Sequence, residues 1–269
     1  MNRSDLQDNW AVGVDYEPYV GRWSRLIARD FLYWLAIPPQ SRWLDVGCGT
    51  GALSQTILEE MSPQSVLGVD GSVGFLRYAR FKLQGLQHIG FLASDAQSHP
   101  IKPSVYDVVV SGLVLNFVLQ PGKAISEMVR VVVKGGTVAV YVWDYAGQMQ
   151  MMRAFWDAAV DLDPAAHALD EGERFPLCQP QPLRELFQAG GLGKVEVREI
   201  IISTLFRDFD DYWTPFLGGQ GPAPSYVRSI GEKRRDALRE RLRVTLPIAA
   251  DGSIKLTARA WAVRGIRER

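Results

Sequence analysis

The sequence has 269 residues, 30 Lys and Arg against 30 Asp and Glu, a formal net charge of zero, 47% hydrophobic residues and two cysteines. That composition excludes a chain disordered throughout, a collagen-like chain and a disulfide-stapled scaffold. The neutral charge argues against a dedicated nucleic-acid binder, whose affinity needs a basic surface to displace phosphate counterions.

From the polar start MNRSDLQDNW no secretory leader is expected. The longest apolar run, 108–119, is interrupted by Ser111, Gly112 and Asn116 and is too short for a bilayer. A soluble, cytoplasmic protein with Cys48 and Cys178 reduced is expected.

In chain order, Trp23, Leu26, Ile27, Phe31, Trp34 and Leu35 recur at helical spacing until Pro38-Pro39. Strands are predicted at 42–46, 65–69, 89–93, 105–110 and 137–143, alternating with helices over 53–61, 73–83 and 125–132. The uninterrupted runs DVVV and VAVYV suit strands covered on both faces, as in a parallel sheet. The alternation predicts an α/β, doubly wound sheet. After Trp143 come a helix over 149–160, a Pro-punctuated stretch to Pro182, a helix–strand pair at 183–189 and 195–203, a helix around 226–244, and a last strand from Ile254.

The chemistry concentrates after the first strand. Gly47, Gly49 and Gly51 open a helix, and glycine there allows positive φ and close approach of the backbone to a ligand. Asp70 ends the second strand, where an acid can accept hydrogen bonds from two ribose hydroxyls. Asp95 ends the third. The spacing Gly47-x-Gly49-x-x-Ala52 also satisfies a dinucleotide fingerprint, so a nicotinamide- or flavin-dependent oxidoreductase stays open. Against it stands Asp45, two residues before the first glycine, where a carboxylate disfavours a pyrophosphate. No Gly-Lys-Ser/Thr follows, which excludes a P-loop.

The run Trp43-Leu-Asp-Val-Gly-Cys-Gly-Thr-Gly51 resembles the class I S-adenosylmethionine-dependent methyltransferases, as do Gly68-Val-Asp70, Ser94-Asp95-Ala96, Tyr106-Asp107 and Lys134-Gly135-Gly136. More narrowly the chain looks like the small-molecule branch (methyltransferase type 11/25, ubiquinone/menaquinone-biosynthesis type). The resemblance implies a Rossmann-like seven-stranded sheet with an antiparallel last strand. It implies one domain over 1–269: an N-terminal helical lid at 1–40, a cofactor-binding half at 41–144, helical cap insertions at 145–182 and 207–250, and remaining sheet elements at 183–206 and 251–265.

By position, Asp45, Gly47 and Gly49 are then expected to line the methionine end of S-adenosylmethionine, with Gly51 completing the loop. Asp70 takes the ribose with Gly71 and Ser72 beside it, Asp95 takes the adenine amino group with Ala96 packed nearby, and Ser111 to Leu113 border the sulfonium. Tyr19 and Arg22 contact the cofactor from the N-terminal helix. No metal ligands are assigned.

Methyl transfer needs alignment, exclusion of water and, for some acceptors, loss of a proton. Weak candidates to assist are Asp144, Tyr145, Tyr19 and His167, each with a bland alternative as cap, core or surface residue. Met149, Met151, Met152, Phe155 and Trp156, with Phe206, Phe209, Tyr212, Trp213, Phe216 and Leu217, either wall an apolar acceptor pocket or form the insertions' own core.

Residues 228–243 hold seven Arg and Lys against three acids, which pairs along the helix such as Glu232–Arg235, Asp236–Arg239 and Glu240–Arg243 can balance. The reading is a monomer or weak homodimer that methylates a small, apolar or aromatic metabolite, with no membrane and no nucleic-acid partner. An RNA methyltransferase, an oxidoreductase and a non-catalytic S-adenosylmethionine-binding protein are the alternatives.

Overall fold

The computed structural model describes residues 21–218 and 221–268. The chain divides into a sheet unit (Trp23–Trp143, Leu177–Ile200, Ala260–Arg269) and a helical unit (Met1–Arg22, Asp144–Pro176, Ile201–Arg259).

The strands are β1 (Arg42–Val46), β2 (Ser65–Asp70), β3 (Ile89–Ala93), β4 (Tyr106–Gly112), β5 (Val132–Trp143), β6 (Leu192–Phe206) and β7 (Ile254–Arg267). The helices are α1 (Arg22–Leu35), α2 (Ala52–Glu60), α3 (Val73–Lys82), α4 (Pro121–Val131) and α5 (Gln150–Leu162). They continue with α6 (Glu171–Arg174), α7 (Pro180–Ala189), α8 (Phe209–Trp213), α9 (Pro222–Ser229) and α10 (Glu232–Thr245).

Among the described residues the sheet has seven strands in the order β3-β2-β1-β4-β5-β7-β6. β1 to β5 pair in parallel, and β7 runs antiparallel to β5 from Thr137↔Ile266 to Trp143↔Ala260. This is the expected Rossmann-like sheet with its reversed last strand. Val108–Val110 and Val138–Val142 are sealed from solvent, as strands covered on both faces must be. Each such side chain contributes about 1.5–3 kcal/mol of burial. β1 has β2 on one side and β4 on the other, so the strand order reverses there, and a crevice opens at the carboxyl ends.

Helix α1 buries Trp23, Ile27, Phe31 and Leu35 on one face, and the Phe31 ring lies 4.7 Å from that of Tyr141. It stops where Ala36 turns left-handed (φ 51°) ahead of Pro38. The acid of the Tyr106-Asp107 pair works at the opposite end of the sheet from the crevice. Arg42 donates to Asp107 through its backbone N (2.8 Å), Nε (2.9 Å) and Nη2 (2.8 Å), locking the starts of β1 and β4 together.

Two boundaries differ from expectation. Lys134-Gly135-Gly136 lies inside β5 rather than before it. The pairing with β4 shifts between Tyr106 and Val108, Gly135 sits at φ 79°, and a Cβ on Gly136 would stand 2.7 Å from the Asp107 carbonyl oxygen. The helix expected around 226–244 is two helices, because Ile230 and Gly231 are extended (ψ 145° and 161°). Glycine gains little from staying helical.

In the helical unit the aromatic residues pack on one another. Phe155 stacks on Phe216 at 4.5 Å and meets Trp156 edge-on at 5.1 Å; Phe206 meets Tyr212 at 5.3 Å. The Tyr212 hydroxyl donates to the Met151 carbonyl oxygen (2.9 Å), and the Trp156 indole donates to the buried Glu171 carboxylate. Of the two readings of these side chains, they make this unit's own core, with Leu217 left exposed. The cations of α10 are balanced mostly by other elements. Arg234 pairs with Asp163 (3.1 Å), Arg239 with Asp210 (3.0 Å) rather than along its own helix, and Arg241 with Asp161 (2.6 Å). Arg243 and Glu240 do pair along the helix, at 3.7 Å. Among the described residues no helix is long and apolar enough to cross a membrane.

Candidate functional site

The crevice at the carboxyl ends of the sheet-unit strands is a cleft of about 680 Å³. Gly47, Asp70, Gly71, Asp95 and Ala96 line it from one side, and Val114, Phe117, Val118 and Leu119 from the other. Thus β1, β2 and β3 each deliver their following loop to one place.

The β1–α2 turn is held to β2 by backbone bonds. Gly47 N and Cys48 N both donate to the Val69 carbonyl oxygen (2.7 and 3.0 Å). Gly47 has φ 74°, and a Cβ there would lie 2.5 Å from Val114. Gly47→Ala is therefore expected to lower the melting temperature and to deform the cleft floor, since both strain and collision oppose the side chain. A variant with unchanged melting and ligand binding would sink this reading.

Asp70 ties the loops together. Its Oδ2 accepts from Gly49 N (2.9 Å) and its Oδ1 from Ser72 N (2.7 Å). A carboxylate has about four lone-pair sites, so each oxygen keeps capacity towards the cleft. Burial pushes the Asp70 carboxyl above its usual range, against the pull of those two bonds. The Ser72 hydroxyl accepts from Phe75 N (3.3 Å) and caps α3.

Asp45 is fully buried. Its Oδ2 accepts from the Ser54 hydroxyl (2.7 Å), while its Oδ1 is buried with no partner. Burial pushes its carboxyl up to about 7. At the end of β4, Ser111 and Leu113 are buried, and Leu113 is held left-handed at φ 63° with its N–H on the Tyr141 carbonyl oxygen (2.8 Å). A leucine in that conformation is strained and needs its surroundings to hold it.

Sequence reasoning missed the apolar wall Val114–Leu119. Its signal was present, since apolar residues run on past the strand end where a polar turn is the norm. It also missed Gln97, which lines the cleft, and Asn116, whose side-chain amide is buried with neither polar atom partnered.

The remaining candidates lie in the helical unit. Asp144 Oδ2 accepts from Gln148 N (2.6 Å) and from Arg259 Nε (2.9 Å), an ion pair that fixes this oxygen within the helical unit. Tyr145 packs 5.6 Å from Phe175, and His167 is 61% exposed, 3.8 Å from Glu173. Arg22 donates to Asp211 (3.0 Å) and lies over the Phe206 ring. Tyr19 is outside the described residues.

Residues 44–140 match the family described as a methyltransferase domain. That segment contains the glycine loop and the acids of the cleft. In this segment the chain is similar to methyltransferase domains. Among curated relatives, the malonyl-[acyl-carrier protein] O-methyltransferase of Geobacter sulfurreducens is 28% identical over 219 residues, 81% of this chain and 75% of that protein. The trans-aconitate 2-methyltransferase of Rhizobium etli is 26% identical over 234 residues, 85% and 88% of the two chains. The demethylmenaquinone methyltransferase of Roseiflexus castenholzii is 36% identical over 106 residues, 39% and 44%. Against several of its curated relatives the chain spans less than half of their length. Among solved structures, the YcgJ protein of Bacillus subtilis superposes with a TM-score of 0.60 at 16% identity, covering 90% of this chain and 98% of that one. The fold is therefore shared with a protein of quite different sequence.

Proposed function

We propose that the chain transfers a methyl group from S-adenosylmethionine to a small acceptor. The observation that carries this is one cleft lined by Gly47, Asp70, Gly71 and Asp95, with the acid Asp45 on the strand that leads into it. These residues fit the cofactor's polar groups. The unpartnered Asp45 Oδ1 supplies the acceptor that an α-ammonium needs, the spare lone pairs of Asp70 suit a ribose diol, and Asp95 suits the adenine amino group. Gly71 has open space where a Cβ would stand, leaving the backbone approachable.

When bound, S-adenosylmethionine supplies an electrophilic methyl on a sulfonium. The chain's contribution is to hold and orient it. The buried β4 end at Ser111–Leu113 would present a rigid boundary to the reacting centre, and Val114–Leu119 would keep water out. Arg259 holds the Asp144 carboxylate within the helical unit, and transfer by alignment is the reading favoured. The names of the relatives point to a malonyl group on a carrier protein, to trans-aconitate and to demethylmenaquinone, so a small acceptor group, free or carrier-borne, is common to them and its chemistry is not. The apolar half of the cleft favours an apolar or aromatic metabolite.

Calorimetry tests the cofactor. S-adenosylhomocysteine is expected to bind with micromolar or better affinity and NAD not to bind; the reverse would replace the methyltransferase reading with an oxidoreductase.

A further inference from the structure

The side chain of Gln97 crosses the mouth of the cleft. Its Nε2 donates to both oxygens of Asp95, at 3.2 and 3.3 Å, and its Oε1 accepts from Gln120 N (3.0 Å) at the start of α4. The amide orientation follows from the partners, since only this one puts an N–H on the carboxylate and an oxygen on the N–H. Gln97 also donates its own backbone N–H to Asp95 Oδ1 (2.8 Å), which leaves that carboxylate anchored whether or not the side chain stays. The two side-chain bonds are long, share one nitrogen and sit at a partly exposed edge, so they exchange readily for better ones.

We propose that Gln97 is a place-holder at the purine end of the cleft and, by competing for Asp95, lowers the cleft's preference for an amino purine over a keto one. An amide N–H₂ and the exocyclic amino group of adenine are the same donor to Asp95. In the structure Gln97 satisfies the carboxylate and straps the β3 loop to α4. A purine that carries an amino group replaces Nε2 and frees the strap; a purine with a keto group in that place offers no donor and leaves the strap on Asp95. The residue acts through Asp95 and is a positioning residue. This inference rests on the cofactor reading above.

The experiment is calorimetry and stopped-flow binding of S-adenosylhomocysteine and of its 6-oxo counterpart S-inosylhomocysteine. It uses the full chain, Gln97→Ala and the length-matched Gln97→Met. Both variants lack the competing amide. They are expected to bind S-adenosylhomocysteine about three- to tenfold more tightly, mostly through faster association. Affinity for S-inosylhomocysteine should stay within twofold of the unsubstituted chain. A general loosening of the loop would move both ligands together. Gln97→Glu sets a second carboxylate beside Asp95 and should weaken S-adenosylhomocysteine binding relative to Gln97→Ala. Unchanged or weaker S-adenosylhomocysteine binding by both Gln97→Ala and Gln97→Met overturns the proposal, as does an equal gain for the two ligands. If the unsubstituted chain binds no S-adenosylhomocysteine at all, the cofactor reading falls, and this inference with it.

Discussion

Asp45→Asn is expected to make the ligand-free protein more stable at pH 8, and at the same time a poorer binder of S-adenosylhomocysteine. The folded protein holds the Asp45 carboxyl at about 7 through burial, whereas an unfolded chain holds aspartate at about 3.9. Below about pH 4 both states are protonated and the buried neutral acid is tolerated. Between about pH 4 and 7 the unfolded chain has released its proton and the folded one has not, so stability falls as pH rises. Above 7 the loss is complete. Some three pK units at about 1.4 kcal/mol each give roughly 4 kcal/mol, an upper bound.

Asparagine keeps an acceptor for the Ser54 hydroxyl but cannot ionise. Its melting temperature should therefore match the parent near pH 4 and exceed it by about 5 °C or more at pH 8. Melts with the same pH slope in both proteins would rule the assignment out. Binding moves the other way, because a cationic group at Oδ1 rewards the ionised form. Removing it should weaken S-adenosylhomocysteine about 10- to 100-fold. It should also abolish a proton release near pH 7, visible as a buffer-dependent binding enthalpy.

Asp70→Ala should cost still more binding. It removes the proposed acceptor of two ribose hydroxyls, each bond worth about 1.5 kcal/mol or more, so S-adenosylhomocysteine should weaken at least roughly 100-fold. It also strips Gly49 N and Ser72 N of their partner, which should lower the melting temperature. Asp70→Asn separates the two effects. It can still accept from one of those N–H groups, so it should recover part of the stability and little of the affinity. Retained affinity in Asp70→Ala would mean that the ribose lies elsewhere.

What could be read from the residues alone divides along physical lines. β1 and β3 were legible to the residue, because short runs rich in apolar residues and bounded by turn residues leave one solution. The glycines and acids of the cleft were legible because geometry and ligand chemistry restrict those positions to few residue types. The apolar wall was not, since Val114 and Phe117 look like core until the strand end is known to face a crevice. Gln97 carries no signature at all: a polar loop residue gains meaning only from where Asp95 and Gln120 stand. Phe155 and Phe216 could have faced a ligand or each other. Periodicity does not say which helices will meet, and in the structure they face each other.

The place of β7 between β5 and β6 bears on how the molecule is made. β6 leaves the ribosome well before the strand that joins it to the sheet, and Thr137 waits for Ile266. Until then β5 has a bare edge, and closing so long a loop is slow. Until the last strand arrives, the nascent sheet therefore keeps an apolar strand edge open to wrong pairing. Substitutions along β7, remote from every acid of the cleft, should reduce the yield of folded protein before they alter the affinity of what does fold.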